Sequence, residues 1–329
     1  MEIIVLKEDE IRSCVKMDEE ALVEVAKGFT KLAAGEVTLP PIMRINVPEK
    51  HGEVDVKSAY IHGLDSFAIK IAAGFFENRL LGLPTGSGMM VLVSADTGRA
   101  MAVLLDNGYL TDVRTGIAGA IAARYLAKES VDTAGVIGSG IQARYQMHAL
   151  RLVREYQRLY VYGIIPEDVA AYRIEMAEAL GVEVIAAPDA ETVVRESDVV
   201  VTTTPATEPY LKADWLHPGL HITCMGSDAE HKQELHADVF GRADIVACDD
   251  KQQVFRLGEL HHALEAGILT LEDDIVQLGE LASGERPGRQ NEEQVTLCDL
   301  TGVGVQDTQI ARLAYSKAKE AGLGLSIGE

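Results

Sequence analysis

Positive charge is scarce in this 329-residue chain: 30 Lys and Arg stand against 51 Asp and Glu, a formal net charge of −21. Nucleic acid and anionic membranes would repel such a surface, which excludes both as partners. The plain reading is a soluble acidic surface, with adaptation to salt as the alternative. Cysteine is scarce too. Cys14, Cys224, Cys248 and Cys298 are scattered singly and form no CxxC, so neither a zinc site nor a disulfide framework is indicated. The last three sit in apolar runs and read as packing residues. No apolar run approaches the ~20 residues of a membrane span. The opening "MEIIVLKEDEIRSC" is too acidic and too soon interrupted for a secretion signal, and a cytoplasmic protein is expected. Hydrophobic residues make up 47%, a globular balance, and the length suits two domains better than one core.

The pattern changes along the chain. "MDEEALVEVAKGFTKLAAGE" predicts a helix capped by Asp18, with Leu22, Val25, Phe29 and Leu32 on one stripe. From Tyr60 to about Leu105, short apolar runs separated by Gly and Pro predict strands, with a hairpin turning at Asp96–Gly98. A helix from about Thr111 to Lys128 follows, smooth with Gly116, Gly119 and several alanines. After it, strands alternate with helices, expected at 141–155, 166–180 and 189–196, which implies a doubly wound parallel sheet. The last amphipathic segment, "QDTQIARLAYSKAKEAG", is placed back on the first domain. The expected class is therefore α/β: a central Rossmann sheet over 115–305, and a discontinuous α+β domain over 1–114 completed by 306–329.

"GVIGSGIQA" carries the nucleotide signal. A GxGxxG alone is weak, and here the third glycine is Ala143. The plain alternative is a simple strand-to-helix turn. Its setting, after an apolar strand and before a helix within βα units, favours dinucleotide binding. Gly138 permits the turn, Gly140 lets backbone approach a pyrophosphate, and the helix N-terminus favours the anion. The next strand ends at Gly163 and Ile164, with neither an acid for a ribose hydroxyl nor a base for a 2′-phosphate. The lack of a base points to NAD and leaves NADP open.

In so acidic a chain, basic residues in apolar settings are candidates for holding a carboxylate. Lys70 lies within "SFAIKIAAG", Arg114 near a helix start and Arg44 after "LPPIM". The alternatives are a strand lysine facing water, a salt bridge from Arg114 to Asp112 or Glu129, and a surface-loop arginine. Asp228 follows the strand "LHITCMG", at the end of a parallel sheet where ligands bind; it is a candidate proton carrier or an N-cap. His231 reads as a loop residue. "GELHHA" offers Glu259, His261 and His262, but neighbouring histidines on a helix are taken to point to different faces, so no metal is expected. "LPTGSG" reads as a turn toward the ligand, with Thr85 as its functional group.

Several stretches together, "PPIMR", "FAIK", "LTDVRT", "GSGIQA", "VVTTT", "MGSDAEHKQELHADV" and "GRQNEEQVTLCDLTGVGVQD", resemble the ornithine cyclodeaminase and mu-crystallin family over nearly the whole chain. "GEVDVKSAY", "GSDAEHKQEL" and "GELHHA" are most similar to its ectoine-utilisation branch. The resemblance implies a substrate and dimerisation domain, a Rossmann domain, a homodimer, and action on a small amino or imino acid. It implies that Arg44, Lys70 and Arg114 hold the substrate carboxylate, and that Asp228 is the acid–base group. Thr85, Ile141, Gln142, Thr204, Cys224, Met225 and Lys232 match positions near the cofactor; Arg114, Thr115, Gly138, Gly140, Gly226 and Val303 complete that set. Departures exist. Lys57 stands in "KSAY" where relatives read "MPAY", adding a charge suited to a second carboxylate or a polar tail. Gly163 and Leu300 replace an expected aspartate and serine. The activity implied is hydride transfer at Cα, reducing an imino acid or cyclic ketimine. Cyclodeamination, with hydride out and back, is the enzymatic alternative; a non-catalytic cofactor- or ligand-binding protein is the other.

Overall fold

A computed structural model of the protein describes residues 2–328. The chain opens with β1 (Ile3–Lys7), α1 (Glu8–Cys14) and α2 (Glu19–Ala33), then β2 (Val37–Thr38), β3 (Met43–Val47), β4 (Gly52–Ile61), β5 (Ser66–Phe75), β6 (Gly86–Ser94) and β7 (Ala100–Leu105). Next come α3 (Tyr109–Leu126), β8 (Thr133–Ile137), α4 (Ile141–Leu150), β9 (Arg158–Tyr162), α5 (Pro166–Leu180), β10 (Glu183–Ala186), α6 (Ala190–Glu196), β11 (Val199–Thr202) and β12 (His221–Cys224). The remainder is β13 (Ile245–Cys248), α7 (Lys251–Val254), α8 (Glu259–Glu265), β14 (Val276–Gln277), α9 (Leu278–Ser283), β15 (Thr296–Asp299), α10 (Gly304–Glu320) and β16 (Leu325–Ile327). Two compact units result: one gathers the residues up to Arg114 and from Val303 onward, the other spans Thr115–Gly302.

In the first unit the sheet runs β16-β1-β7-β6-β5-β4-β2, with β3 also on β4. Its pairs are antiparallel apart from β1 on β7. Period-two alternation gives β4 a buried face of Asp55, Lys57, Ala59 and Ile61. Register continues that face across Lys70, which lies opposite Lys57 and Met90. α2 and α10 pack together, and α10 lies against β4 and β5. Asp18 caps α2 by accepting from the Ala21 N–H at 3.0 Å, and Leu22, Val25 and Phe29 are its buried stripe. α10 approaches β4 closely because Gly304 lacks a Cβ, which would fall 2.4 Å from the Ser58 backbone.

The second unit is an all-parallel sheet, β10-β9-β8-β11-β12-β15-β13-β14. Its direction of progress reverses between β8 and β11, the switch point at which such sheets bind ligands. β8, β11, β12 and β15 are buried throughout, as strands covered on both faces must be. Gly119 lets α4 approach α3: a Cβ there would fall 1.9 Å from the Gln146 amide oxygen. Arg154 closes the end of α3 by donating to the carbonyls of Arg124, Ala127 and Lys128.

Two helix limits differ from the sequence reading. α3 starts at Tyr109, because Asp106 receives the Leu110 N–H at 2.8 Å and caps it two residues early. Arg114 therefore lies in the second turn. α4 stops at Leu150, not 155; Tyr156 turns inward, is fully buried, and donates its hydroxyl to the Met147 carbonyl at 2.9 Å.

Candidate active site

In the first unit, two buried cations meet one buried carboxylate. Lys70 is 1% exposed, Arg114 5% and Asp307 0%. Lys70 Nζ lies 3.1 Å from Asp307 Oδ2, and Arg114 Nε lies 3.0 Å from Oδ1. Lys70 is thus no solvent-facing strand lysine. Arg114 is paired with Asp307, and Gln306 also receives it: the amide Oε1 lies 3.4 Å from Nη1, while Nε2 donates to the Arg114 carbonyl at 3.2 Å. Burial, with the charges of Arg114 and Lys57, pushes the Lys70 ammonium down to about 7; Asp307 opposes that drop. Asp106 at the head of α3 is raised to about 6 by burial.

Arg44 sits on β3 opposite Asp55 of β4 and grips it in two-pronged fashion, Nε to Oδ1 and Nη2 to Oδ2, each at 2.7 Å. Sequence reading offered Arg44 as a carboxylate holder; in the structure its fork already holds the chain's own carboxylate. Lys57 is buried at 7% exposure on the same face as Asp55. Thr85 is half-buried and its carbonyl accepts from the Phe75 N–H at 2.7 Å.

The second unit carries the nucleotide features. β8 ends at Ile137 and the turn 138–140 leads to α4. Gly138 has φ +111°, and a Cβ there would fall 2.4 Å from Thr203 Oγ1. Gly140, the N-cap of α4, has nothing within 4 Å of its Cβ position. Open space thus stands over a helix N-terminus, which fits a pyrophosphate. Ile141 is 47% exposed beside it and Ala143 is fully buried. Gln142 and Thr115 both meet Gln146, whose amide lies 3.5 Å from Gln142 Oε1 and 2.9 Å from the Thr115 carbonyl. At the end of β9, a Cβ on Gly163 would lie 3.0 Å from Ser139 Oγ, so close packing on the turn favours glycine there.

Arg144 of α4, which the sequence reading does not single out, also lies at this turn and donates to the carbonyls of Ser139 at 2.6 Å and Gly140 at 3.0 Å. Its other arm pairs with Glu175. The i,i+4 spacing from Gly140 to Arg144 is the signal that reveals it.

The decisive residue that sequence reasoning passed over is Glu234, fully buried. Its Oε1 accepts from Thr204 N, Thr204 Oγ1 and the Tyr210 hydroxyl at 2.7, 2.7 and 2.8 Å. Its Oε2 accepts from Thr202 Oγ1 and Gly226 N at 2.6 and 2.9 Å. One carboxylate therefore ties the segment after β11 to the end of β12, across the candidate positions Thr204 and Gly226. Burial raises its pKa, and these hydrogen bonds pull the other way. Glu259, also fully buried, receives the backbone N–H groups of Glu234 and Leu235 at 2.6 and 3.1 Å.

Asp228 caps no helix. Its Oδ1 accepts from Lys232 Nζ at 2.7 Å, and Ser227 Oγ donates to the Lys232 carbonyl at 2.6 Å. The Asp228 side chain is 37% exposed and that of Lys232 9%. Cys224 is 1% exposed, its thiol pushed up by burial, and Val303 is fully buried. Their side chains belong to the packing, and Met225 is half-buried. His231 is exposed. His261 and His262 do not diverge as expected: their rings stand 5.0 Å apart, and with Glu265 their ligand atoms lie within 4.8 Å of one another. Imidazole arms on successive residues are long enough to lean together. His262 Nε2 is also 2.9 Å from the Lys232 carbonyl.

Comparison with known proteins places these observations in a lineage. The model of the ornithine cyclodeaminase/mu-crystallin family matches residues 1–322. An uncharacterized cyclodeaminase of Sinorhizobium fredii is 46% identical, over 97% of each chain. Among solved structures, an archaeal alanine dehydrogenase dimer with bound NAD is 34% identical; the match covers 100% of this chain and 99% of that one, at a TM-score of 0.91. The Delta(1)-pyrroline-2-carboxylate reductase of Thermococcus litoralis, solved with NADH and L-proline, is 28% identical over 98% of this chain and 100% of its own, with a TM-score of 0.91.

Proposed function

The chain belongs to the ornithine cyclodeaminase/mu-crystallin family, and from that premise we propose that it is an NAD-dependent oxidoreductase acting at the Cα–N bond of a small amino acid. The direction proposed is reduction of an imino acid or cyclic ketimine. The observation that carries this reading is the burial of Lys70 and Arg114 together in a chain of net charge −21. Burying two cations side by side costs several kcal/mol per ion unless an anion repays it. Asp307 supplies one negative charge for the two. A substrate carboxylate is the second anion the reading calls for.

Bound NADH would supply the hydride. The chain's residues do the rest. Lys70 and Arg114 bind and orient the carboxylate, with Lys57 on the same sheet face for a second carboxylate or polar tail. Asp55 fixes Arg44. Asp228 hands a proton to the nitrogen as the carbon is reduced, and Lys232 holds its carboxylate at 2.7 Å. The open space over Gly140 and the α4 N-terminus suit the pyrophosphate. NAD is favoured over NADP because Gly163 and Ile164 offer no cation and Arg144 is engaged with Glu175 and two carbonyls.

A homodimer is part of the proposal. The outer sheet face of the first unit presents Val54, Val56, Ile69, Ile71 and Val91, half-buried. Nearby in sequence, Leu80, Leu81 and Leu83 are 75%, 73% and 54% exposed. Apolar surface of this extent is typical of an interface with a second copy. A cytoplasmic setting agrees with the cysteine pattern; among the described residues no helix is long and apolar enough to cross a membrane. A role in ectoine utilisation rests on sequence similarity alone.

The test is a panel of 2-oxo acids with amines, together with cyclic imines, followed at the NADH absorbance band. Stoichiometric NADH consumption is expected. Ammonia release from a diamino acid with trace NAD and no net absorbance change would establish cyclodeamination instead. Cofactor binding without any turnover would establish the binding-protein reading. Sedimentation of the protein should give a dimer.

A further inference from the structure

The two cations assigned above to the substrate carboxylate share one counter-ion, and it comes from the far end of the chain. Asp307 lies in the first turn of α10, after the chain has completed the second unit and returned to the first. It is 0% exposed, with Lys70 Nζ at 3.1 Å and Arg114 Nε at 3.0 Å. The two cations are what its carboxylate oxygens meet, one to each.

The groups facing Lys70 come from four elements: Lys57 of β4, Arg114 of α3, Asp106 of the turn before α3, and Asp307 of α10. Burial and the charges of Arg114 and Lys57 push the ammonium toward neutrality, and Asp307 opposes them. We propose that Asp307 is a positioning residue that keeps Lys70 protonated and aims Lys70 and Arg114 as a pair, so that the C-terminal helix confers competence for binding the carboxylate. This rests on the reading that Lys70 and Arg114 take the substrate carboxylate.

A structural counter-ion and a charge-maintaining one differ in what pH does to them. Lys70 sits at about 7 with Asp307 in place. Above that value substrate must bring its own proton, and KM climbs about tenfold per pH unit. Removing the Asp307 charge moves the onset to lower pH. Gln306 still grips Arg114 from the same turn, so the Lys70 charge is the part that fails.

The experiment measures KM and kcat against pH for wild type, D307N and D307E, with lysine Cε carbon NMR reporting the Lys70 charge directly. D307N should lower the Lys70 midpoint and the KM onset together by a unit or more, raise KM at pH 7.5 by about tenfold or more, and leave the cofactor Kd unchanged. D307E should restore the onset. A superimposable KM–pH profile in D307N together with an unmoved Lys70 carbon midpoint, or a Glu variant no better than Asn, overturns the proposal. If D307N does not fold, K70R with Asp307 in place decides. Arginine stays charged across the range, so KM in K70R should be pH-independent above 7. A KM in K70R that still climbs above pH 7 as in wild type overturns the proposal. The carbon signal separates the two claims: if it shifts in D307N while KM does not, Asp307 controls the charge and the carboxylate reading is what fails.

Discussion

Replacing Glu234 by Gln should loosen the candidate nucleotide crevice more than it loosens the fold. Five donors converge on this fully buried carboxylate. Three are hydroxyls, which can turn and accept instead. Two are backbone N–H groups, which cannot: Thr204 N at 2.7 Å on Oε1 and Gly226 N at 2.9 Å on Oε2. Because a backbone donor faces each oxygen, the Gln amide NH2 meets an N–H whichever way it is flipped. One buried donor is left unsatisfied, at about 1–3 kcal/mol, and the remaining bonds lose their ionic assistance. Removing a buried charge returns part of this, so the net cost is on the order of 1–3 kcal/mol. The strain falls where Thr204 and Gly226 are held. NADH affinity, read by nicotinamide fluorescence, should therefore fall about tenfold to a hundredfold, the equivalent of 1.4–2.8 kcal/mol. The urea midpoint should drop modestly, with an unchanged slope. Unaltered NADH affinity in a variant whose midpoint has dropped would refute the idea that Glu234 serves the crevice. An unaltered midpoint and affinity together would refute the hydrogen-bond accounting itself.

Gly140→Ala should leave stability within about 1 kcal/mol, the scale of an N-cap exchange, yet weaken NADH binding at least tenfold, because its Cβ would enter space that no protein atom fills within 4 Å; equal NADH affinity would remove the pyrophosphate from that turn. Gly138→Ala should instead lose stability outright in thermal melts, since its φ is +111° and its Cβ would fall 2.4 Å from Thr203 Oγ1. Asp228→Asn should keep NADH binding and cut turnover roughly 10²–10⁴-fold; a rate near wild type would end its role as proton carrier. His221 is fully buried between Thr296 and Thr223, and burial lowers it to about 3. Its native pKa lies below the unfolded value of about 6.5, so its contribution is whole above about 6.5 and is lost as pH falls toward 3, up to about 4–5 kcal/mol. Asp249, raised by burial to about 6, acts oppositely as pH falls from 6 toward its unfolded value, so the difference between wild type and His221→Gln in acid unfolding isolates the histidine. Parallel acid curves would refute the assignment.

Local rules made much of this legible. Asp18, the α2 stripe and the turn at Gly138–Gly140 are set by neighbours within a few residues, and the sequence displays those neighbours. The helix 166–180 was readable because Pro166 opens it and Gly181, at φ +66°, closes it. The smooth surface of α3 is legible in its glycines and alanines, but its close approach to α4 at Gly119 and Gln146 is not. What stayed hidden are partnerships of long sequence separation. Arg44 and Asp55 are paired through strand register, which periodicity constrains without naming the partner. Lys70, Arg114 and Asp307 converge from β5, α3 and α10. Glu234 lies in a loop with no periodic pattern, and its five donors come from Thr202, Thr204, Tyr210 and Gly226.

Charge in the sequence was a guide to position but not to sign of effect. The scarcity of Lys and Arg singled out Lys70 and Arg114 as cations that would seek an anion. It could not reveal that the first anion they meet is the chain's own, because an aspartate at a helix start reads locally as favourable to the helix dipole and needs no other explanation. The same ambiguity covers Asp106, which is both the cap of α3 and a carboxylate that feels the charge of Lys70. Asp106 and Asp307 thus carry two loads, one on a helix end and one on a cation. The pH dependence of substrate affinity separates the second load from the first, since the cap of an uncharged site would show none.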